Sequence, residues 1–241
     1  MKLTFLGTRG YIEPRTRRHR MHAALRVGYR GRWVMVDCGE DWRGRLDALR
    51  PRAIVLTHAH PDHAGGLKDG APCPVYAPAA VWQGEPGRYS IEARRELRPH
   101  EPAGIRGITF EAFPVEHSTR APAVGYRITA GRAAVFYAPD LVYIRERREA
   151  LQGVRLYIGD GATVERPLVR RRGDALIGHT PIRTQLTWCR KEGVRRAIIT
   201  HCGKQIVGGD EKAVAARVRE LAEERGVEVE IAYDGLEVVV R

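Results

Sequence analysis

With 241 residues, 43% of them hydrophobic, the chain is sized for one domain with a substantial core, and its longest apolar runs, such as Ala53-Ile54-Val55-Leu56, fall far short of the roughly 20 residues of a bilayer span. Its 41 basic residues against 29 acidic ones leave a formal charge of +12, which suits an anionic partner such as nucleic acid and equally suits a coding or thermal bias toward arginine. Cys38, Cys73, Cys189 and Cys202 contain no C-x-x-C pair, which argues against a zinc ribbon or disulfide scaffold, and Met1 to Gly7 lack the long apolar stretch of a secretion signal, so the expectation is one cytoplasmic domain, residues 1–241, away from membranes.

In chain order, short apolar or alternating runs separated by glycine, proline and charged clusters predict strands at residues 3–6, 24–29, 33–36 and 53–56. Further strands are predicted at 109–113, 124–128, 133–137, 155–158 and 197–199. Thr180-Pro181 supplies a cap and a first-turn proline for a helix running to about Glu192, with Gly193 as its stop. Asp210 caps a second helix, in which Val214, Val218 and Leu221 share one face and which Gly226 ends. The last feature reads as a hairpin, 227–232 and 236–240, joined through Asp234-Gly235. There is no internal repeat, linker or composition break, and many strands followed by helix, strand, helix and hairpin read as a layered α/β sandwich.

The chemistry concentrates in Thr57-His58-Ala59-His60-Pro61-Asp62-His63-Ala64-Gly65-Gly66, directly after the strand at 53–56. Three imidazoles and a carboxylate within six residues, between a buried strand and a glycine pair, are a metal site rather than packing. The alternate residues His58 and His60 can converge on one ion while Asp62 and His63 turn toward a second, and Gly65 and Gly66 let the backbone pass close by.

This H-x-H-x-D-H pattern after a strand resembles the metallo-β-lactamase superfamily, and the resemblance extends along most of the chain. It implies a four-layer αββα sandwich and further ligands at the ends of later strands: His117 in Val-Glu-His-Ser-Thr, Asp140 in Tyr-Ala-Pro-Asp and His201 in Ile-Thr-His-Cys. One metal would be held by His58, His60 and His117, and a second by Asp62, His63 and His201, with Asp140 bridging. Two ions about 3.5–4 Å apart would hold a bridging hydroxide as nucleophile and clamp a substrate oxygen. His60 stands where redox members carry a carboxylate, so hydrolysis is expected; zinc is the default ion, and manganese or iron fits the same ligands. Asp37, at the end of the strand at 33–36, resembles the aspartate that orients a metal-bound imidazole through its free N–H. Cys38 and Cys202 adjoin the site but read as small buried residues, because the ligand set is complete without them.

The superfamily's shared motif fixes the machinery and leaves the substrate open. His179, in Ile-Gly-His-Thr-Pro a helix and a strand before His201, looks like the histidine of the phosphodiesterase branch, ribonuclease Z and the cyclic-phosphate phosphodiesterases. An imidazolium there can protonate or stabilise the alkoxide that leaves phosphorus. His179 and Asp62 are therefore the expected catalytic residues. Phe5-Leu6-Gly7-Thr8 and the stretch from Leu156 to Thr163 also resemble ribonuclease Z, with Asp160 where that family usually has glutamate. The interval from His117 to Asp140 has no room for that family's long tRNA-gripping arm, so a compact phosphodiesterase or a nuclease with another grip is expected. That grip is assigned to the loop after the first strand, with Arg9, Arg15, Arg17, Arg18 and Arg20 on the substrate phosphate; Arg170-Arg171-Arg172 reads as a solvated face. The expected substrate is nucleic acid or a nucleotide-like diester, with a homodimer by family analogy. The alternative is a thioester or lactone hydrolase of glyoxalase type, which needs the seven ligands and not His179.

Overall fold

In the computed structural model, which describes residues 1–241, the short apolar runs resolve into two large sheets laid face to face. The first sheet begins with β1 (Lys2–Gly7), β2 (Ala24–Tyr29), β3 (Arg32–Val36), β4 (Ile54–Val55), β5 (Val75–Ala77) and β6 (Arg94–Glu96). The second collects β7 (Ala103–Ile105), β8 (Ile108–Glu116), β9 (Ala123–Ala130), β10 (Ala133–Tyr137), β11 (Tyr143–Ile144) and β12 (Leu156–Asp160). β13 (Leu168–Arg172) and β14 (Ala175–His179) pair only with each other, β15 (Arg196–Thr200) and β16 (Glu228–Ile231) return to the second sheet, and β17 (Glu237–Val239) returns to the first. Strand order is β17-β1-β2-β3-β4-β5-β6 in one sheet and β11-β8-β9-β10-β12-β15-β16 in the other, where β7 also flanks β8. Helices are mostly single turns: α1 (Leu46–Leu49), α2 (Pro61–Ala64), α3 (Ala79–Gln83), α4 (Arg147–Ala150) and α6 (Lys204–Val207), against the longer α5 (Ile182–Lys191) and α7 (Glu211–Glu223).

Period-two alternation decides the packing. Leu3 and Phe5 of β1 point inward, where 27 buried apolar side chains from both sheets, including Val27, Phe110, Tyr126, Ile158 and Ile198, form the central core. A second cluster of 26 lies between the other face of the second sheet and α5 and α7, and a smaller one of 13 covers the outer face of the first sheet around Met35, Trp42 and Ile54. The layers are therefore helix, sheet, sheet, helix, as expected. The Asp210 carboxylate accepts from the Lys212 and Ala213 N–H groups at the start of α7, and Val218 and Leu221 are buried beneath it, worth about 2 kcal/mol each. No helix is long and apolar enough to cross a membrane.

Two expectations are corrected. The segment at 227–240 is not a hairpin: β16 lies parallel to β15 in one sheet, and β17 lies antiparallel to β1 in the other. Asp234-Gly235 turns the chain between sheets, with the Gly235 N–H on the Phe5 carbonyl and the Asp234 carboxylate accepting from the Arg20 and Met21 N–H groups. Helix α5 starts one residue later than the Thr180 cap implies, because its first N–H groups, those of Ile182 and Arg183, are taken by the Thr163 and Val164 carbonyls instead of a hydroxyl. Helix α7 is ended by Gly226 as expected: its last regular residue is Glu223, and Gly226, φ +65°, closes the end with its N–H on the Glu223 carbonyl and the Val227 N–H on the Ala222 carbonyl. Strands β3, β4 and β5 run parallel, as do β10, β12, β15 and β16, so several loops leave both sheets at the ends where the residues of interest lie.

Candidate metal centre

Each residue of the cluster sits where a strand stops. Asp37 follows β3, the run from His58 to His63 follows β4, His117 follows β8, Asp140 follows β10, Asp160 ends β12, His179 ends β14 and His201 follows β15. At these points the chain leaves its ladder, so polar side chains converge without costing sheet hydrogen bonds. Pro61 opens α2, whose single turn carries Asp62 and His63 inward while His60 occupies the N-cap position.

Two triads result. His58 Nε2 and His117 Nε2 lie 3.0 and 3.1 Å from His60 Nδ1. Asp62 Oδ2 lies 3.3 Å from His63 Nε2 and 3.2 Å from His201 Nε2. Ligand atoms about 2.0–2.1 Å from a tetrahedral ion are about 3.3 Å from one another, so both triads have the spacing of a coordination shell. Asp140 Oδ2 reaches both, at 3.5 Å from His58 Nε2, 3.8 Å from His63 Nε2 and 3.7 Å from His201 Nε2. His63 Nε2 is buried without a hydrogen-bond partner, a costly state unless a cation takes it. The donor set thus fits divalent metal ions.

Burial sets the first triad for metal binding by holding the His58 pKa far down and that of His60 down at about 4, which keeps these imidazoles neutral. In the second, burial pushes His63 and His201 downward but is overcome, for His63 by Asp62 and Asp37 and for His201 by Asp140, Asp160 and Asp62, so both are held up at about 10. Burial also pushes Asp62 and Asp140 upward, and the surrounding imidazoles reverse this and hold both well below the ordinary carboxylate range.

Two buried carboxylates orient the imidazoles from behind. Asp37 Oδ1 accepts from the Thr57 N–H at 2.8 Å, and Asp37 Oδ2 lies 2.9 Å from both His63 Nδ1 and the Thr57 hydroxyl. That hydroxyl is 3.0 Å from His58 Nδ1, so one carboxylate turns a histidine of each triad with its Nε2 toward the cluster. Asp160 does the same on the other side, with Oδ1 3.4 Å from His201 Nδ1 and Oδ2 2.8 Å from His179 Nδ1. Buried Gln185 clamps the Asp160 peptide, accepting its N–H at 2.9 Å and donating to its carbonyl at 2.7 Å. Asp37 and His201 both adopt left-handed backbone, φ +61° and +52°, a cost accepted where a side chain must be aimed.

His179 reaches the cavity beside the cluster. Its Nδ1 lies 2.9 Å from Asp140 Oδ1 and 2.8 Å from Asp160 Oδ2. Burial lowers its pKa, but these two carboxylates more than reverse that and hold it at about 11. The residue before it, Gly178, has φ +117°, and a methyl group there would overlap the Leu168 carbonyl. The Gly178 N–H donates to the His117 carbonyl at 2.9 Å, and its own carbonyl faces His117 Nδ1 at 3.1 Å.

A cavity of about 720 Å³ opens over these groups, lined also by Tyr11, Ile12, Arg166, Leu168 and Lys204. None of the five arginines expected on phosphate lines it. Arg9 is 2% exposed, pairs with Asp41, and donates to the Ile12 and Arg20 carbonyls. Arg15 reaches the other Asp41 oxygen at 2.9 Å, and Arg18 pairs with Glu211 at 2.7 Å while lying over Tyr233. Arg17 and Arg20 are exposed to solvent. The cations that do face the cavity, Arg166 and Lys204, are isolated in the sequence and carry no cluster signal. Cys38 and Cys202 are buried, their thiols pushed well up by burial, and belong to neither triad.

Residues 32–202 match a family described as a beta-lactamase superfamily domain. A ribonuclease Z of Methanopyrus kandleri is 28% identical over 175 residues, which span 64% of this chain and 61% of that protein. A ribonuclease Z of Mycolicibacterium paratuberculosis is 25% identical over 266 aligned positions, 90% of this chain and 92% of that protein. Among solved structures, the metallo-beta-lactamase fold protein YhfI from Bacillus subtilis superposes with a TM-score of 0.74 at 20% identity, over 98% of each chain.

Proposed function

We propose that this chain, which belongs to the beta-lactamase superfamily, hydrolyses phosphodiester bonds in nucleic acid or a nucleotide-like diester with two divalent ions, zinc by default. The carrying observation is His179: an imidazole held protonated between Asp140 and Asp160, at the wall of the cavity and next to the cluster, is placed for a leaving oxygen. His58, His60 and His117 would hold one ion and Asp62, His63 and His201 the other, with Asp140 between them. When bound, the ions supply a nucleophilic water at neutral pH and draw charge from the phosphoryl oxygens.

The remaining work falls to the chain. Asp62, a carboxylate facing the cavity, accepts the proton of the attacking water. His179 keeps Nδ1 on its two carboxylates and presents Nε2 to the substrate, donating to the alkoxide as the P–O bond breaks. Arg166 and Lys204 supply positive charge for the phosphate on the cavity wall. The ribonuclease Z relatives support this reading through their names and through a match that covers most of the chain.

The test is His179→Ala assayed on a chromogenic phosphodiester, with a thioester and a lactone run alongside. The expected result is a loss of about 10²–10⁴ in diester turnover with bound metal unchanged. Diester turnover that survives the substitution, or ester turnover alone in the wild type, would overturn the proposal in favour of a hydrolase of glyoxalase type.

A further inference from the structure

The hairpin of β13 and β14 belongs to neither sheet and to no layer of the core. We infer that it grips the backbone of a single-stranded polynucleotide whose scissile phosphate lies at the metal centre, an inference that rests on the phosphodiesterase reading above. The hairpin is rooted in the site. Leu168 at the start of β13 pairs with His179 at the end of β14, and both line the cavity together with Arg166. Gly178 ties the same root to His117 through two hydrogen bonds. From there the strands run outward to a two-residue turn, Gly173-Asp174, with β13 exposed along its whole length.

Along that exposed strand stand Arg170, Arg171 and Arg172, none in an ion pair, whereas Arg43, Arg147 and Arg217 are each matched with a carboxylate. At about 3.3 Å per residue, the three side chains leave the strand about 7–13 Å beyond Leu168. Side chains alternate between the faces of a strand, so Arg170 and Arg172 share the face of Leu168, level with about the second and fourth phosphates of a stacked strand that offers one about every 3.4 Å of its rise, and Arg171 adds charge from the opposite face. Between the cavity and Arg170, on the same face, lies Leu168, 54% exposed, an apolar step on which a base can rest. A small diester ends inside the cavity; only a polymer extends to the hairpin. A symmetric contact between two copies would set two arginine triads against each other, which disfavours that occupant.

The experiment measures binding of a short labelled single-stranded RNA to the metal-free protein by fluorescence anisotropy over a range of salt concentrations. R170A/R171A/R172A is expected to bind ten- to a hundredfold more weakly, with the slope of log K against log salt shallower by about 1.4, the value for the two phosphate contacts of Arg170 and Arg172 on a single strand. R170K/R171K/R172K retains most of the slope. R30A/R32A/R52A, which removes as many charges near the starts of β3 and β4, at the other end of those strands, leaves it nearly unchanged. The inference is overturned if wild type binds no RNA, if the hairpin triple binds as wild type does, if both triples weaken binding equally, or if the hairpin triple instead dissociates a dimer. The chromogenic diester assay stands apart: its failure sinks the phosphodiesterase reading whatever the RNA titration shows.

Discussion

Asp37→Asn exchanges one atom behind the cluster. Asparagine tolerates the left-handed backbone at this position, so the change acts on hydrogen bonding and not on the chain path. Because Oδ1 accepts from the Thr57 N–H at 2.8 Å, the amide oxygen stays there and the NH₂ takes the place of Oδ2, 2.9 Å from His63 Nδ1. A donor at that point bonds His63 only if Nδ1 gives up its proton, which then sits on Nε2, the atom facing Asp62. His58 keeps its partner, since the Thr57 hydroxyl still accepts from it while donating to the remaining oxygen at 3.0 Å. Losing such an orienting partner costs 10–100-fold in metal affinity, about 1.4–2.8 kcal/mol, and under the two-ion proposal the loss would fall on the site of Asp62, His63 and His201 alone. A zinc titration against a chromophoric chelator should show one site at wild-type affinity and one weakened. Two wild-type sites, or two equally weakened ones, would refute the reasoning.

Two other outcomes follow from the geometry. In the metal-free protein near neutral pH, His63 and His201, held up at about 10, carry protons that a ligand imidazole must lose. Metal binding is therefore expected to release protons and to tighten as pH rises toward about 10, as read by calorimetry in buffers of different ionisation heat; an affinity independent of pH contradicts this. Arg9→Ala breaks a buried ion pair with Asp41, at a cost of about 3–5 kcal/mol, so Tm should fall on the order of 10 °C with substrate KM unaffected. An unchanged Tm with a raised KM would return Arg9 to the phosphate.

The run from His58 to His63 was legible by residue type, since three histidines and an aspartate after an apolar strand have few other uses, whereas His117, Asp140 and His201, single residues at strand ends, were marked out only by the resemblance to the superfamily. Asp37 was marked out by the same resemblance. The hairpin was not legible, although Gly173-Asp174 is a two-residue turn of the right kind, because every β13 side chain is exposed and strands without a buried face leave no alternation to read. Arg9 misled because a charged loop residue gives no sign in sequence that Asp41, far along the chain, will bury it. Asp234-Gly235 misled differently: the same turn chemistry serves a hairpin or a passage between sheets, and the choice depends on which strand edges stand open, β15 and β1, a property of the assembled fold.

That passage gives the molecule a history as well as a shape. β1 is made long before β17, yet they are neighbours, and Asp234 fastens the loop after β1 only once the passage has formed. At usual ribosomal speeds, on the order of 10–50 s separate the emergence of the two strands. Through that interval the outer edge of β1 offers unpaired N–H and C=O groups to any other nascent strand. This route to aggregation therefore belongs to its synthesis, and conditions that speed elongation or shelter the nascent chain should raise soluble yield without changing the stability of the finished fold.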